Sequence, residues 1–300
     1  MEHDEQVKIT AISKYKGNNL YISATILYNI VFIRYRLQIY INLRLNQCIF
    51  PLVQDIKISL ITVVFNGAST IEKCIQSVIG QTYKNVEYIV IDGSSTDNTI
   101  QIINKFKNNI HRFLSEPDKG IYDAMNKGIK LATGDVIGIL NADDFFAGDG
   151  ILQSVAEVFI NNNTEIVYGD LDYINPDGRV IRKWRLGSYS PGIFNWGWMP
   201  AHPTFYCKKD LFYQFGFYSL EYGTAADYEL MLRFMHLNHV NAVYLEKVMI
   251  KMKIGGKSNK SFSNRVKGLL FDFRAMRKNG ISAPFVTLFL KPLRKIPQYF

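Results

Sequence analysis

The chain has 300 residues, 48% of them hydrophobic and 20% charged, which excludes a disordered protein and allows one large domain or two small ones. Its formal charge of +9 is unevenly placed: residues 247–300 hold 13 Lys/Arg and one acid, Asp272, for a net +12, while the rest nets −3. A mildly acidic body with a basic tail is not the pattern of a nucleic-acid binder, and no nucleic-acid partner is expected. The tail by itself could meet anionic lipid, a lipid diphosphate or nucleic acid, or else be a solvated helix face.

Cys48, Cys74 and Cys207 are scattered and odd in number, with no CxxC pair or His/Cys cluster. This argues against a zinc site or a disulfide framework and for a reducing, cytoplasmic setting. The most apolar stretch, Leu20 to Ile33, is broken by Asn29 and falls short of the roughly 18–20 residues a membrane span requires. It also lacks a small-residue cleavage site. Residues 1–55 read as a poorly specified extension with an interfacial helix around Ile22 to Leu45.

From Lys57 the pattern sharpens. Ile58 to Phe65 is a nearly continuous apolar run, as expected of a strand buried on both faces. Asn66-Gly67 breaks it, and Ser69 with Glu72 reads as a capping box opening a helix to about Ile79. Val86 to Asp92 is the second strand, with Gly93-Ser94-Ser95-Thr96 as its exit, and Asp97 caps a helix to about Asn108. A short strand near Arg112 to Leu114 leads into Glu116-Pro117-Asp118-Lys119-Gly120. A helix over Ile121 to Ala132 ends at Gly134, and the strand Asp135 to Leu140 runs into Asn141-Ala142-Asp143-Asp144. This alternation implies a parallel, doubly wound α/β sheet. A helix over Asp149 to Asn161 follows. Glu165 to Ile174 and Arg179 to Arg185 read as a hairpin turned by Asn175-Pro176-Asp177-Gly178. Thr204 to Cys207 and Asn241 to Ile254 read as strands, Tyr228 to Leu237 as a helix opened by Asp227, and Ser261 to Lys278 as a basic amphipathic helix.

Ligands of open α/β sheets bind beyond the carboxyl ends of the parallel strands. Asn66, Asp92, Asp118, Asp143 and Asp144 stand there. Carboxylates so crowded repel one another unless a cation lies among them, and a divalent ion carrying a diphosphate resolves the conflict; hard oxygen ligands select Mg²⁺ or Mn²⁺. No GxxxxGK[ST] loop, GxGxxG turn or GxSxG elbow is present, which argues against Walker-type ATPases, NAD enzymes and α/β-hydrolases. His202, between Pro200 and Pro203, and the aromatic Trp198 are candidates for facing an acceptor.

Ile58 to Asn66, Ile91-Asp92-Gly93-Ser94-Ser95-Thr96-Asp97-Asn98-Thr99, Ala132-Thr133-Gly134-Asp135 and Leu140-Asn141-Ala142-Asp143-Asp144 closely resemble the family 2 glycosyltransferases. Glu116 to Gly128 looks like the bacterial surface-polysaccharide branch of the colanic-acid type. The resemblance, over roughly residues 57–255, implies a GT-A fold: a Rossmann-like nucleotide-binding half with a mostly parallel sheet (56–148), fused to a smaller acceptor-binding half (149–255), followed by a basic helical tail (256–300). It implies an inverting transfer from a nucleoside-diphosphate sugar to a hydroxyl of a glycan or lipid-linked acceptor, in the cytoplasm or peripherally at the inner face of the cell membrane. Asp92 would then hold the nucleotide base, with Asn66 and Asp118 beside the donor. Asn141 stands in place of the first acid of the family's DxD motif and would accept from ribose hydroxyls, leaving metal ligation to Asp143 or Asp144. Asp227 matches the acid that serves as base toward the acceptor hydroxyl. The competing enzyme reading is a sugar nucleotidyltransferase, although Asn66-Gly67-Ala68-Ser69 lacks the basic glycine-rich loop that such enzymes carry. The non-enzymatic reading, a basic membrane or nucleic-acid tether, leaves the strand-end carboxylates without a purpose.

Overall fold

In the computed structural model, which describes residues 55–253 and 262–299 together with Ile33, the apolar runs become a nine-stranded sheet. The predicted N-terminal interfacial helix, Cys48, and the stretch 254–261 lie outside the described residues. β1 (Ile58–Val64) is buried at every position and lies between β2 (Val86–Asp92) and β4 (Val136–Asn141), parallel to both. β3 (Arg112–Ser115) extends the parallel set beyond β2. Every one of these parallel connections runs through a helix: α1 (Ile71–Ile79), α2 (Thr99–Lys105) and α3 (Ile121–Leu131). α1 buries Ile71, Cys74, Ile75 and Val78, the i, i+3, i+4, i+7 stripe of a helix lying on a sheet.

The capping box is not formed. α1 starts at Ile71 behind Thr70, no side chain caps it, and the Thr70 hydroxyl instead donates to Gly67 O. The turn at Gly67 is set by tertiary bonds: Gly67 N donates to the Thr99 hydroxyl (2.9 Å) and Ala68 N to Asp97 (3.2 Å). Asp97 does accept from the amide and hydroxyl of Thr99 at the start of α2. Gly134 is not a left-handed helix cap either; α3 ends at Leu131 and turns extended at Ala132. Its value is closeness, since a Cβ there would lie 2.6 Å from Lys57 O and 2.7 Å from Ser59 Oγ, where the chain enters β4 beside β1.

After β4 the sheet continues through antiparallel β8 (Tyr206–Lys208), then β6 (Ile166–Ile174), β9 (Ala242–Lys253) and β5 (Asp144–Phe146), with β7 (Val180–Trp184) paired to β6. The order β3-β2-β1-β4-β8-β6-β9-β5 carries the parallel set directly into a mixed one, the α/β arrangement expected. α4 (Ile151–Asn162) buries Leu152, Val155, Ala156 and Phe159. Thr204 lies in a 3₁₀ turn rather than a strand, because its hydroxyl is shared between the carbonyls of Ala201 (2.9 Å) and Gly169 (2.7 Å). α5 (Asp210–Phe215) was not expected from the sequence. α6 (Ala226–Met231) passes into a π-helical turn over Leu232–Leu237. α7 (Phe262–Lys278) and α8 (Pro284–Leu293) end the chain, α8 being a second element not foreseen. No described helix is long and apolar enough to cross a membrane.

The amino end of the parallel set is tied by one buried acid. Glu87 accepts from Ser59 Oγ (2.6 Å), Thr133 N (2.7 Å) and Thr133 Oγ1 (2.8 Å), with Arg112 Nε at 3.4 Å. Burial pushes its carboxyl upward, but three bonds to the charged form, each worth roughly 1.5–3 kcal/mol, together outweigh that cost. The balance leaves it at about 2, with Lys57 adding to the fall. Because the folded value lies below the unfolded one, this stability is present above the ordinary carboxylate range and lost as pH falls toward 2. Glu87→Gln should cost about 2 kcal/mol near neutral pH and shrink the acid-induced loss; equal denaturation midpoints for both proteins at neutral pH would contradict this.

Candidate functional site

Strand register sets the site. Val64 pairs with Asp92 and Val63 with Asn141, so the last residues of β2 and β4 arrive at one edge on either side of β1. Asn66, at φ 51°, turns the chain there: its Oδ1 accepts from Thr96 N (2.8 Å) and its own amide donates to Ser95 Oγ (2.8 Å). The two strand exits are thereby clipped together. Asp92 is fully buried and accepts from Ser95 N (3.0 Å) and Ser115 Oγ (2.6 Å) on Oδ2, and from Ser95 Oγ (2.5 Å) on Oδ1. Oδ1 thus retains acceptor capacity for one further donor. Asp118 closes over the same edge: its Oδ1 accepts from Gly120 N (2.8 Å), and Oδ2 lies so near Gly93 that a Cβ there would collide with it. Lys127 holds the Asp118 loop through Pro117 O (2.7 Å) and Glu116 (2.8 Å).

The adjacent acids of the Asn141–Asp144 segment separate. Asp143 is exposed, whereas Asp144 is 1% exposed because the chain turns straight into β5, a strand not anticipated, which pairs with β9. Burial, and then the Asp143 charge, hold the Asp144 carboxyl well above the usual carboxylate range, with the Asn141 amide opposing. Asn141 Nδ2 donates to Asp144 Oδ2 (3.3 Å), while Asn141 Oδ1 and Asp144 Oδ1 are buried without a hydrogen-bond partner. Cys74 lies beneath, its thiol 3.5 Å from Asn141 O and pushed up to about 12 by burial. Among the described residues, no three His, Cys, Asp or Glu side chains gather around one point. Any divalent ion held here would take most of its ligands from a bound diphosphate and water, a pattern that suits Mg²⁺ and Mn²⁺.

Asp227 sits in the first turn of α6, one residue past its start; Ala225 occupies the capping position, and the Asp227 carboxylate accepts from Tyr228 N (2.8 Å). Tyr122, in the first turn of α3 just beyond the Asp118 loop, reaches toward it. Burial, followed by the Asp227 charge, keeps the Tyr122 phenol well above its ordinary value, and its hydroxyl lies 3.4 Å from Thr224 O. Tyr218 stacks beside Tyr122 at 5.5 Å and meets His202 Nε2 at 2.8 Å. His202 is buried, and burial lowers its pKa against the opposing pull of Asp227, which leaves a neutral ring. A cleft of about 330 Å³ opens alongside, lined by Lys119, Tyr122, Leu220, Thr224, Lys267 and Phe271.

Asn66, Asp92, Asp118 and Asn141 are therefore gathered at one edge with Asp143 exposed beside them, and Asp227 is gathered with His202. Asp144 is turned inward. Trp198 belongs to a different place: it is 4% exposed, its indole N–H donates to Leu186 O (3.0 Å), and it packs edge-on against Phe194 and Tyr168. Its neighbour Trp196 is 65% exposed. Sequence reading missed Tyr122 and Tyr218. Their only signal was position, one at a helix start after the acidic loop and the other ahead of Asp227.

The carboxyl edge of the parallel strands, here carrying a buried acid and an amide–acid pair, is where open α/β sheets bind their ligands. The chain belongs to glycosyl transferase family 2, whose sequence model matches residues 59–221, and it is a glycosyltransferase enzyme. A PGL/p-HBAD biosynthesis glycosyltransferase of Mycobacterium bovis is 30% identical over 209 residues, covering 67% of this chain and 78% of the relative. The chondroitin synthase of Pasteurella multocida is 28% identical over 192 residues, 61% of this chain and 20% of that one. The same fold is found in S. aureus TarS 1-349 in complex with UDP (TM-score 0.61, 17% identity, 79% of this chain and 71% of that one). The chain spans 39% of a longer TarS structure. The mannosyltransferase PcManGT of Pyrobaculum calidifontis, in complex with GDP-Man and Mn²⁺, shares the fold at TM-score 0.58 and 17% identity, covering 81% and 73% of the two chains.

Asp144 offers a direct test of this electrostatic reading. Its folded pKa lies above the unfolded value, so its contribution favours the folded state at low pH and is lost as pH rises through and above the carboxylate range. Asp144→Asn removes that dependence. As pH rises above the ordinary carboxylate range the parent should lose stability relative to the variant, which should be at least as stable once that loss is complete. A variant clearly less stable at high pH would contradict the assignment.

Proposed function

We propose that the enzyme is an inverting glycosyltransferase that moves a sugar from a nucleoside-diphosphate donor to a hydroxyl of a glycan or lipid-linked acceptor, in the biosynthesis of a cell-surface polysaccharide or glycoconjugate. The observation that supports this reading is the register that brings Asp92 and Asn141 to one edge of β1, with Asp118 and the start of α3 beside it. Asp227 meets Tyr122, in the first turn of that helix. Relatives and fold neighbours add support, since some are named for glycoconjugate synthesis and others were solved with UDP or with GDP-Man and Mn²⁺.

In this reading, Asp92 receives the N–H edge of the base at Oδ1, the atom that keeps acceptor capacity. The buried and unpartnered Asn141 Oδ1 accepts from a ribose hydroxyl. Asp143, exposed and next to it, is the side chain that would hold Mg²⁺ or Mn²⁺, with diphosphate oxygens completing the shell. Such an ion neutralises charge on the departing diphosphate when bound. Asp144, its carboxyl held well above the usual range by burial, orients Asn141 and leaves ligation to its neighbour. Asp227 takes the proton of the acceptor hydroxyl as that oxygen attacks the anomeric carbon and the bond to the phosphate oxygen breaks. A single displacement of this kind inverts the centre. Tyr122 and Tyr218 fix the position of the carboxylate, and His202, neutral and bonded to Tyr218, fixes the phenol. The basic helix α7 and the apolar helix α8 hold the enzyme at the inner face of the cell membrane.

Asp227→Asn should reduce transfer by at least about a hundredfold while donor affinity stays within about threefold of the parent, because general-base catalysis contributes on that scale. Product formation under saturating donor measures it. Turnover that survives the substitution would remove Asp227 from the role of base.

A further inference from the structure

A second cavity, of about 350 Å³, lies away from the donor edge between β7 and the C-terminal helices. Lys183, Arg185, Lys291, Arg294 and Lys295 all reach it, over a floor that includes Trp184 and Trp198. Two of the five charges are already met: Arg185 pairs with Asp172 (2.7 Å) and Asp170 (3.6 Å), and Lys291 pairs with Asp272 (2.8 Å). Lys183, Arg294 and Lys295 face no carboxylate within ion-pair distance among the described residues. All three are exposed; partial burial, then Lys291 and Arg182, pull the Lys295 ammonium below the ordinary lysine value, with Asp272 opposing. Such crowding of like charge costs stability unless an anion enters.

The cavity is built rather than incidental. Arg182 binds Gln298 Oε1 through Nε (2.8 Å) and Nη2 (2.5 Å), fastening the C-terminal 3₁₀ turn to β7, and Thr287 Oγ1 donates to Asn195 O (2.7 Å). Beside it, α7 and α8 carry an apolar face that is exposed among the described residues. Phe273 stacks on Phe285 at 4.5 Å and joins the two helices, while Leu270, Phe285, Phe289 and Leu293 are exposed. An apolar helical face framed by bases lies in the interface of a membrane with its cations at headgroup level.

We propose that this cavity receives the phosphate of an anionic membrane lipid, with Lys183, Arg294 and Lys295 as its ligands and the apolar face of α7 and α8 seated among the acyl chains. The assignment deepens the membrane part of the function given above and does not depend on the sugar-transfer chemistry.

The full chain is incubated with phosphatidylcholine vesicles, with and without phosphatidic acid, and bound protein is measured by co-sedimentation. Binding should require phosphatidic acid. Arg294→Gln with Lys295→Gln should weaken it at least about tenfold more than Arg277→Gln with Lys278→Gln, which removes the same charge from the exposed end of α7. Phe285→Ser with Phe289→Ser, both at exposed positions, should weaken it as well. Equal weakening by the two charge pairs would overturn the proposal in favour of diffuse attraction. Equal binding to neutral vesicles, or retention of inorganic pyrophosphate by a protein that ignores vesicles, would overturn it too. Donor affinity, measured in parallel, should be unchanged in every variant, so that a failed vesicle test is separate from a failed transferase reading.

Discussion

The register of β1 between β2 and β4 is the constraint on which the rest depends. A slip of one residue would turn every side chain of β1 to the other face and break the alignment of Asp92 with Asn141. The sequence guards that register at both ends. At the amino end, Glu87 collects donors from β1 and from the turn before β4, and Gly134 lets that turn approach Lys57 and Ser59 more closely than any side chain would permit. At the carboxyl end, Asn66 clips the two exits through Ser95 and Thr96. The register is therefore held by one set of hydrogen bonds at the amino ends of the three strands and another at their carboxyl ends.

Two neighbouring acids show how position divides chemistry. Asp143 and Asp144 have the same side chain, but β5 begins at Asp144 and buries it, and burial holds its carboxyl well above the usual carboxylate range. Asp143 stays in solvent, open to a ligand. In the proposed mechanism one residue meets the ligand and the other orients Asn141.

Much of this was legible in the sequence. The apolar runs at Ile58, Val86 and Val136 gave the parallel strands within a residue or so, because strands buried on both faces leave little ambiguity. The strand-end polar residues followed from the same pattern. Three features were not legible. β5 is three residues long and is stabilised by pairing with β9, about a hundred positions away, which no local periodicity records. The capping box at Ser69 lost to tertiary bonds from Thr99 and Asp97. The place of Tyr122 and Tyr218 beside Asp227 arises only when α3 and α6 are brought together. The +12 segment announced its charge plainly, but not that part of it lines a cavity against Trp184 and Trp198.

The central claim is that the β1–β2–β4 edge binds a nucleoside-diphosphate sugar through Asp92, Asn141 and Asp143. Calorimetric titration of the protein with UDP-, GDP- and dTDP-linked sugars, in Mg²⁺ or Mn²⁺ and again with a chelator, tests it most directly. The account predicts saturable binding of at least one donor, weakened by chelation and by Asp143→Asn, and retained in Asp227→Asn. Failure of every donor to bind in the presence of either metal would contradict it.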